Sequence, residues 1–452
     1  MVADATLTRS SPWVPRHGAG RRRGPAGWLV ANALPPLAVM VLSFGFLKWR
    51  TGYSLHQMFL PSSWQRYDSG WYLYIAEHGF TAVWHCGGSS IPPHLPPGNY
   101  LCGTVAWFPG YGMATRVLAW LPAISIGVAA LIVAWGCLYL LLFVMWRLLA
   151  DSVSLPTRWA CLVAAAVGPG SVYFAAVFPI SMCAGFMLAA LYFALRSTAR
   201  FAPVFALGCA AVASYSYITG IVMLPALAIT AIVALAGRRR IVALSGALGS
   251  AMGFGAVLLH QWLAVGIWDG YFIATSKYGV GANNPLATLK KHISPAFHFG
   301  GSTPSSLHIE ATQTLLTLLI VVGAAGLTVL FFARGSRLHV ARATGEGMGP
   351  GSAGTNGMAV AGAPRYWLGG FSRWLTDRID AFDLCFLMAA IGVWLVPYVA
   401  GGEESVYRPE AFIVLAIPLL RKAPWPLLVP LIVVELWVAA HMIPLFVNGT
   451  LI

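Results

Sequence analysis

Long apolar runs, rather than alternation, set the pattern of this chain. Stretches such as Trp28 to Leu47, Ile124 to Trp146, Val172 to Leu195, Ile241 to Val265 and Thr312 to Ala333 are predominantly apolar over the ~20 residues that a helix needs to cross a bilayer. Each predicts a membrane-spanning helix, because a helix satisfies its own backbone where water is absent. The runs recur to give roughly eleven spans, so the expected fold class is an all-α polytopic membrane protein.

Three polar regions interrupt the runs. Residues 49–122 hold WQRYDSGWYLYIAEHGF, a Gly/Pro-rich loop and AWFPGYGMATRVLAWLP. Residues 267–311 hold Trp268, Asp269, Lys277, Lys290, Lys291, His292, His298, His308 and Glu310. The third region is basic and Gly-rich, with GEGMGPGSAGTNG at its centre. The chain then divides into a basic tail (1–25), a membrane module (26–334) carrying loops 49–122 and 267–311, a linker (335–380) and C-terminal spans (381–452). The linker glycines follow no strand and lead to no Lys-Ser/Thr, so they read as solvated chain and not as a phosphate-binding loop.

Composition agrees with the pattern. The chain is 58% hydrophobic and 9% charged, against about 25% charged in a soluble domain. The formal charge of +14 is spread over the ends of the apolar runs, so nucleic acid is not an expected partner and membrane lipid is. From a cytoplasmic N-terminus, Arg21 to Arg23, Arg147 with Arg158, Arg196 with Arg200, Arg238 to Arg240, the basic linker, and Arg421 with Lys422 all fall on the cytoplasmic side, as a topology signal should. That orientation puts 49–122, 267–311 and 401–407 on the extracytoplasmic face of a cell membrane, with Lys48 and Arg50 as exceptions. The first run is too long for a signal-peptide core and reads as a retained span. Cys86 and Cys102 share the first external loop and are the disulfide candidate, two free thiols being the alternative; their spacing matches no metal site.

Asp68 is the acid that needs a reason. Ser62 to Gln65 has capping-box spacing and Gly79 is a typical residue after a helix end, so the segment between them reads as one helix. At about 100° per residue, Trp64, Asp68, Trp71, Tyr72 and Ile75 then share one face, and the carboxylate sits within an apolar stripe. A charge there is costly unless it is paired or wetted. One reading is a salt bridge to Arg66 or Lys48 on an interfacial helix; the other is a general base at a membrane surface. Trp71, Tyr72, Trp107 and Phe108 offer flat faces suited to a sugar and equally to an interfacial aromatic belt. His260, within an apolar run, reads as a satisfied intramembrane histidine.

WQRYDSGWYLYIAEHGF followed by AWFPGYGMATRVL resembles the luminal motifs of the phosphatidylinositol-glycan mannosyltransferase V (PIG-V-like) family, which are GT-C class glycosyltransferases. GPGSVYFAAVFPISMCAGFMLAALYFAL, Gly168 to Leu195, is similar to a third family segment, and Tyr407-Arg408 before Phe412 and Ile417-Pro418 to a fourth. The resemblance implies a GT-C-type fold with extracytoplasmic loop helices. It also implies a mannosyltransferase that uses a polyprenyl-phosphate-mannose donor and a glycolipid or protein acceptor. The family's catalytic acid matches Asp68, and Glu77 matches a second acid of the motif. Tyr67 stands where the family has Trp, Ile180 where it has Glu, and Tyr217 where it has Arg.

The expected chemistry is inverting transfer with Asp68 as general base, no cofactor, and no requirement in principle for a metal. Arg408, Lys277 and His292 or His298 are the cations expected to meet the donor phosphate, Arg as a planar fork and Lys as a point charge. The remaining substrate-binding candidates are Tyr67, Trp71, Tyr72, Glu77, Trp107, Phe108 and Tyr407. Two other classes stay open. A lipid or glycolipid transporter would carry ionisable groups near the bilayer midplane, whereas the acids here cluster in external loops. A non-catalytic scaffold of the same fold is compatible with the charges missing at Ile180 and Tyr217.

Overall fold

The computed structural model of the protein describes residues 24–86, 100–150, 152–168, 170–276, 283–298, 305–345, 380–400 and 408–451. The described elements are α1 (Pro25–Asn32), α2 (Leu34–Thr51), α3 (Leu55–Phe59), α4 (Pro61–Trp64), α5 (Ser69–His78), β1 (Val83–Cys86), β2 (Tyr100–Gly103), α6 (Gly110–Ala119), α7 (Ile126–Leu148), α8 (Leu155–Val167), α9 (Ser171–Ala175) and α10 (Ile180–Leu195). They continue with α11 (Ala202–Ser216), α12 (Met223–Val233), α13 (Gly237–Val265), α14 (Gly270–Ser276), α15 (Pro285–Ile293), α16 (Ser305–Gly345), α17 (Ala381–Ala400), a 3₁₀ helix (Pro409–Lys422) and α18 (Trp425–Val447). Short 3₁₀ turns join several of them.

The protein is a helical membrane protein. Among the described residues six helices are long and apolar enough to cross a bilayer: Ala26–Thr51, Ile126–Leu148, Gly237–Val265, Ser306–Phe332, Ala381–Ala400 and Trp425–Val447. Leu155–Val167, Ile180–Leu195, Ala202–Ser216 and Ile218–Val233 are apolar but shorter. The run from Val172 to Leu195 is not one helix: it breaks between α9 and α10, where the chain turns extended at Ala176 and Pro179 caps the new helix and cannot continue one begun before it. The helix α16 continues to Gly345, past the residue-334 boundary of the membrane module. The rest of the linker to residue 379, including most of GEGMGPGSAGTNG, and the tail to residue 23 lie outside the described residues.

One hydrophobic core runs through the bundle, with residues from α2, α7 to α13, α16 to α18 and the 3₁₀ helix. The 3₁₀ helix occupies its interior: every residue from Glu410 to Leu420 is buried, as expected of a segment that is apolar all round. Fourteen residues is long for this geometry, and runs beyond 3–4 are uncommon.

The polar region after α2 departs from the all-α expectation. β1 and β2 form an antiparallel hairpin, with Trp84 opposite Cys102 and Cys86 opposite Tyr100. Cys86 and Cys102 are disulfide-bonded, Cα to Cα 5.8 Å, in agreement with the pairing read from the sequence. A second, small core of Leu101, Val105, Ala106 and Ala274 lies under the hairpin. Gln261 ties these parts together: its Nε2 donates to the Val105 carbonyl at 2.9 Å, and its Oε1 accepts from Tyr271 N at 3.0 Å. Gly112 lets α6 approach α5, since a Cβ there would lie 2.9 Å from Ile75 Cγ2 and 3.0 Å from the Tyr72 carbonyl oxygen.

Candidate active site

The continuous helix expected through Asp68 is broken. α4 ends at Trp64, α5 starts at Ser69, and Tyr67 between them takes a left-handed backbone with φ of 51°. Local contacts explain the break. Trp64 is fully buried and donates from Nε1 to the Met58 carbonyl at 2.7 Å, while its own carbonyl accepts from Val177 N at 3.3 Å. Arg66 donates from Nε to the Val447 carbonyl at 2.8 Å, and the Tyr67 hydroxyl accepts from Leu451 N at 3.0 Å. The chain is thus pulled onto the end of α18, and the stabilisation of these bonds offsets the cost of about 1–3 kcal/mol for a left-handed non-glycine residue.

Asp68 therefore sits at the N-cap of α5 instead of within an apolar stripe. Its carbonyl accepts from Trp71 N at 3.0 Å, but its carboxylate makes no capping bond. The carboxylate pairs instead with Arg408, from 340 residues further along the chain. The salt bridge expected to Arg66 or Lys48 is not the one formed. Arg66 is spent on the carbonyls of Val447, Ser62 and Gln65, and Arg50, the other basic residue at the end of α2, donates to the Ala440 carbonyl at 2.7 Å. The Arg408 guanidinium also lies 5.1 Å from the Tyr67 ring centroid and 5.6 Å from that of Phe178. Side-chain exposure is 12% for Arg408 and 25% for Asp68, so the pair is sheltered yet reachable.

Phenols surround the pair. Tyr72 lies within electrostatic range of Asp68, Arg408, Tyr217 and Tyr271, and Tyr217 within range of Asp68 and Arg408. Burial holds the Tyr72 phenol well above its ordinary range, helped by Tyr217 and Asp68 and opposed by Arg408. Burial does the same to Tyr271. Both therefore stay protonated near neutral pH; Tyr271 is half-buried and can donate to a sugar or phosphate oxygen, whereas Tyr72 is buried and packs behind the pair. Tyr217, which stands where the resembled family has Arg, stacks on Phe412 with centroids 5.5 Å apart and an interplanar angle of 26°. Its place beside the pair could not be read from sequence. Ile180 is fully buried at the start of α10.

A carboxylate network anchors Arg408 from behind. Glu410, two residues on and buried, accepts from the Tyr398 hydroxyl at 2.8 Å and from Gln313 Nε2 at 2.9 Å. The start of the 3₁₀ helix is thus tied to α16 and α17. Sequence alone does not single out Glu410, which opens an apolar run and whose hydrogen-bond partners lie 12 and 97 residues away; an acid at the head of such a run is the one signal it offers.

The other candidates divide. Trp107 is half-buried and meets Tyr72 edge-on at 5.8 Å. Phe108 is buried against Phe254 and Tyr271, so it is packing and not a binding face. Glu77 is half-exposed and pairs with His78 at 3.5 Å, away from the Asp68–Arg408 pair. His298 donates from Nδ1 to the Ser294 carbonyl at 2.6 Å and is exposed. His292 is half-buried at the end of α15, and burial, then Lys291, lower its proton affinity. Among the described residues neither histidine is joined to the pair. Lys277 and Tyr407 lie outside the described residues. His260 is satisfied as expected: its Nδ1 is 2.7 Å from the Tyr215 hydroxyl. Among the described residues no group of three or more His, Cys, Asp or Glu side chains gathers at one point.

Glu435 breaks the expectation that the acids keep to external loops. It lies inside α18, fully buried, and among the described residues neither carboxylate oxygen has a hydrogen-bond partner. No protein-family model matches this sequence, and no curated protein matches it.

Proposed function

We propose that the protein is a membrane glycosyltransferase of GT-C type. It moves a sugar, mannose by the resemblance, from a polyprenyl-phosphate donor to a lipid-linked or protein acceptor on the extracytoplasmic face. The observation that carries the reading is the meeting of Asp68 with Arg408 in a sheltered spot ringed by neutral phenols. The carboxylate takes the proton of the acceptor hydroxyl as that oxygen attacks the anomeric carbon. The anomeric C–O bond to phosphate breaks, the configuration inverts, and polyprenyl phosphate leaves with one more negative charge, which the Arg408 guanidinium offsets as a planar donor fork.

The charges at the far end support the sidedness. Arg421 and Lys422 end the 3₁₀ helix that Arg408 caps, and both pair with Asp383, Arg421 at 2.7 Å. Fourteen residues at a rise of about 2.0 Å span roughly 28 Å, close to the hydrocarbon thickness of about 30 Å. Arg196 and Arg421 both lie over the Phe382 ring, at 4.8 and 4.1 Å, so basic residues read as cytoplasmic do meet at that end.

The test is Asp68→Asn in the purified full chain with a polyprenyl-phosphate-mannose donor. Transfer per folded molecule should fall by at least about 10²-fold, the lower bound for general-base assistance. Wild-type rates in the Asn variant would remove Asp68 from the chemistry. A second reading, a lipid or glycolipid transporter, is favoured by Glu435 alone, because an unpaired acid deep in a span is a common mark of transport. Proton-coupled lipid movement in proteoliposomes, lost in Glu435→Gln and kept in Asp68→Asn, would establish it over the transferase.

A further inference from the structure

Trp84 is an exposed tryptophan that the fold holds in place. It keeps 47% of its surface open on β1, yet three constraints fix its indole. Gly103 lies beneath it with φ of +100°, and a Cβ at that position would stand 2.9 Å from Trp84 Cζ3 and 1.8 Å from the Ala82 carbonyl oxygen. The Trp71 ring flanks it, centroids 6.2 Å apart and planes 36° apart. The strand that carries it is closed by the Cys86–Cys102 disulfide.

The row of rings goes on. Trp71 meets Tyr74 at 6.4 Å and Tyr74 meets His78 at 4.7 Å. The Tyr74 hydroxyl is 3.2 Å from Thr81 Oγ1. His78 ends the row and pairs with Glu77 at 3.5 Å, and both are exposed. An acyl chain gains nothing from ionisable groups and hydroxyls at the edge of an aromatic face. A pyranose gains from both, since it has an apolar C–H face and an edge of hydroxyls. Trp71 belongs to the first turn of the helix that Asp68 caps.

We propose that the Trp71–Trp84 pair is a pyranose-binding platform that holds the acceptor sugar beside Asp68. Its assignment to the acceptor rests on the transferase reading; its affinity for a sugar does not. The disulfide keeps Trp84 on Trp71, so opening the hairpin should dismantle the platform.

The experiment uses the full chain in lipid nanodiscs and two photoreactive probes, an octyl mannopyranoside with a diazirine on the sugar and a phosphatidylcholine with a diazirine in the acyl chain. Peptide mapping should find the sugar probe on Trp71, Tyr74 or Trp84, displaced by excess octyl mannopyranoside. Trp84→Ala should weaken that labelling by about tenfold, the loss of one of two stacking faces. The Cys86→Ser/Cys102→Ser double variant should weaken it similarly while acyl labelling at Val128 on α7 persists as a check on folding. Acyl-probe labelling of Trp84 with none from the sugar probe would make the row an interfacial belt and overturn the platform. Asp68→Asn should keep sugar labelling. If the unaltered chain shows no transfer from the polyprenyl-phosphate-mannose donor while the sugar probe still labels the row, the transferase reading fails and the platform stands; if transfer occurs but the sugar probe never labels the row, the platform fails alone.

Discussion

Exchanging Asp68 and Arg408 singly and together tests whether they act as one unit. Removing one partner of a fully buried ion pair costs about 3–5 kcal/mol, and an exposed pair is worth about 0–1 kcal/mol. With side chains 25% and 12% exposed, Asp68→Asn should destabilise by about 2 kcal/mol. Arg408→Gln should cost more, because the contacts with Tyr67 and Phe178 go too, at about 0.5–2 kcal/mol. The double variant should lose little more than Arg408→Gln, leaving a coupling of about 1–2 kcal/mol, within the range for residues in contact. Arg408→Lys keeps the charge but not the planar fork and should retain part of the coupling. The assay is equilibrium unfolding in mixed micelles with rising sodium dodecyl sulfate, followed by tryptophan fluorescence. Losses that add within about 0.3–0.5 kcal/mol would show two independent residues and refute the pair as the organiser of the site.

Other perturbations probe its surroundings. Tyr398→Phe leaves one Glu410 oxygen without its 2.8 Å donor and should destabilise by about 1–3 kcal/mol; an unchanged unfolding midpoint would mean that Glu410 does not hold the start of the 3₁₀ helix. Sidedness can be read by labelling cells with a membrane-impermeant thiol reagent. Glu77→Cys, at an exposed position on α5, should react from outside and Arg239→Cys, exposed at the start of α13, only after permeabilisation; the reverse pattern would move the proposed chemistry to the other face.

What could be read in advance follows from how local each determinant is. The apolar runs marked helices because lipid exposure is imposed on every residue of a span, and Gly79 marked the end of α5, where it takes φ of 71°. The disulfide was legible because its cysteines share one loop, 16 residues apart. The break at Tyr67 was not, since nothing between Trp64 and Ser69 forbids a helix; bonds to Val447 and Leu451, more than 380 residues away, impose it. Periodicity therefore put Asp68 on the wrong kind of surface.

That misplacement bears on function. On a continuous helix the expected counter-charges are Arg66, on the same segment, and Lys48, near the end of α2, and a pair made among such neighbouring surface elements moves with them. The observed pair joins the N-cap residue of α5 to the N-cap residue of a buried 3₁₀ helix, whose other end is held by Asp383 and whose start is held by Glu410. Arg408 is thereby fixed by the bundle and Asp68 by the loop. An anion that competes for the guanidinium can free the carboxylate without unfolding either element, and the proposed transfer, which binds a phosphate before it uses a base, would need that separation.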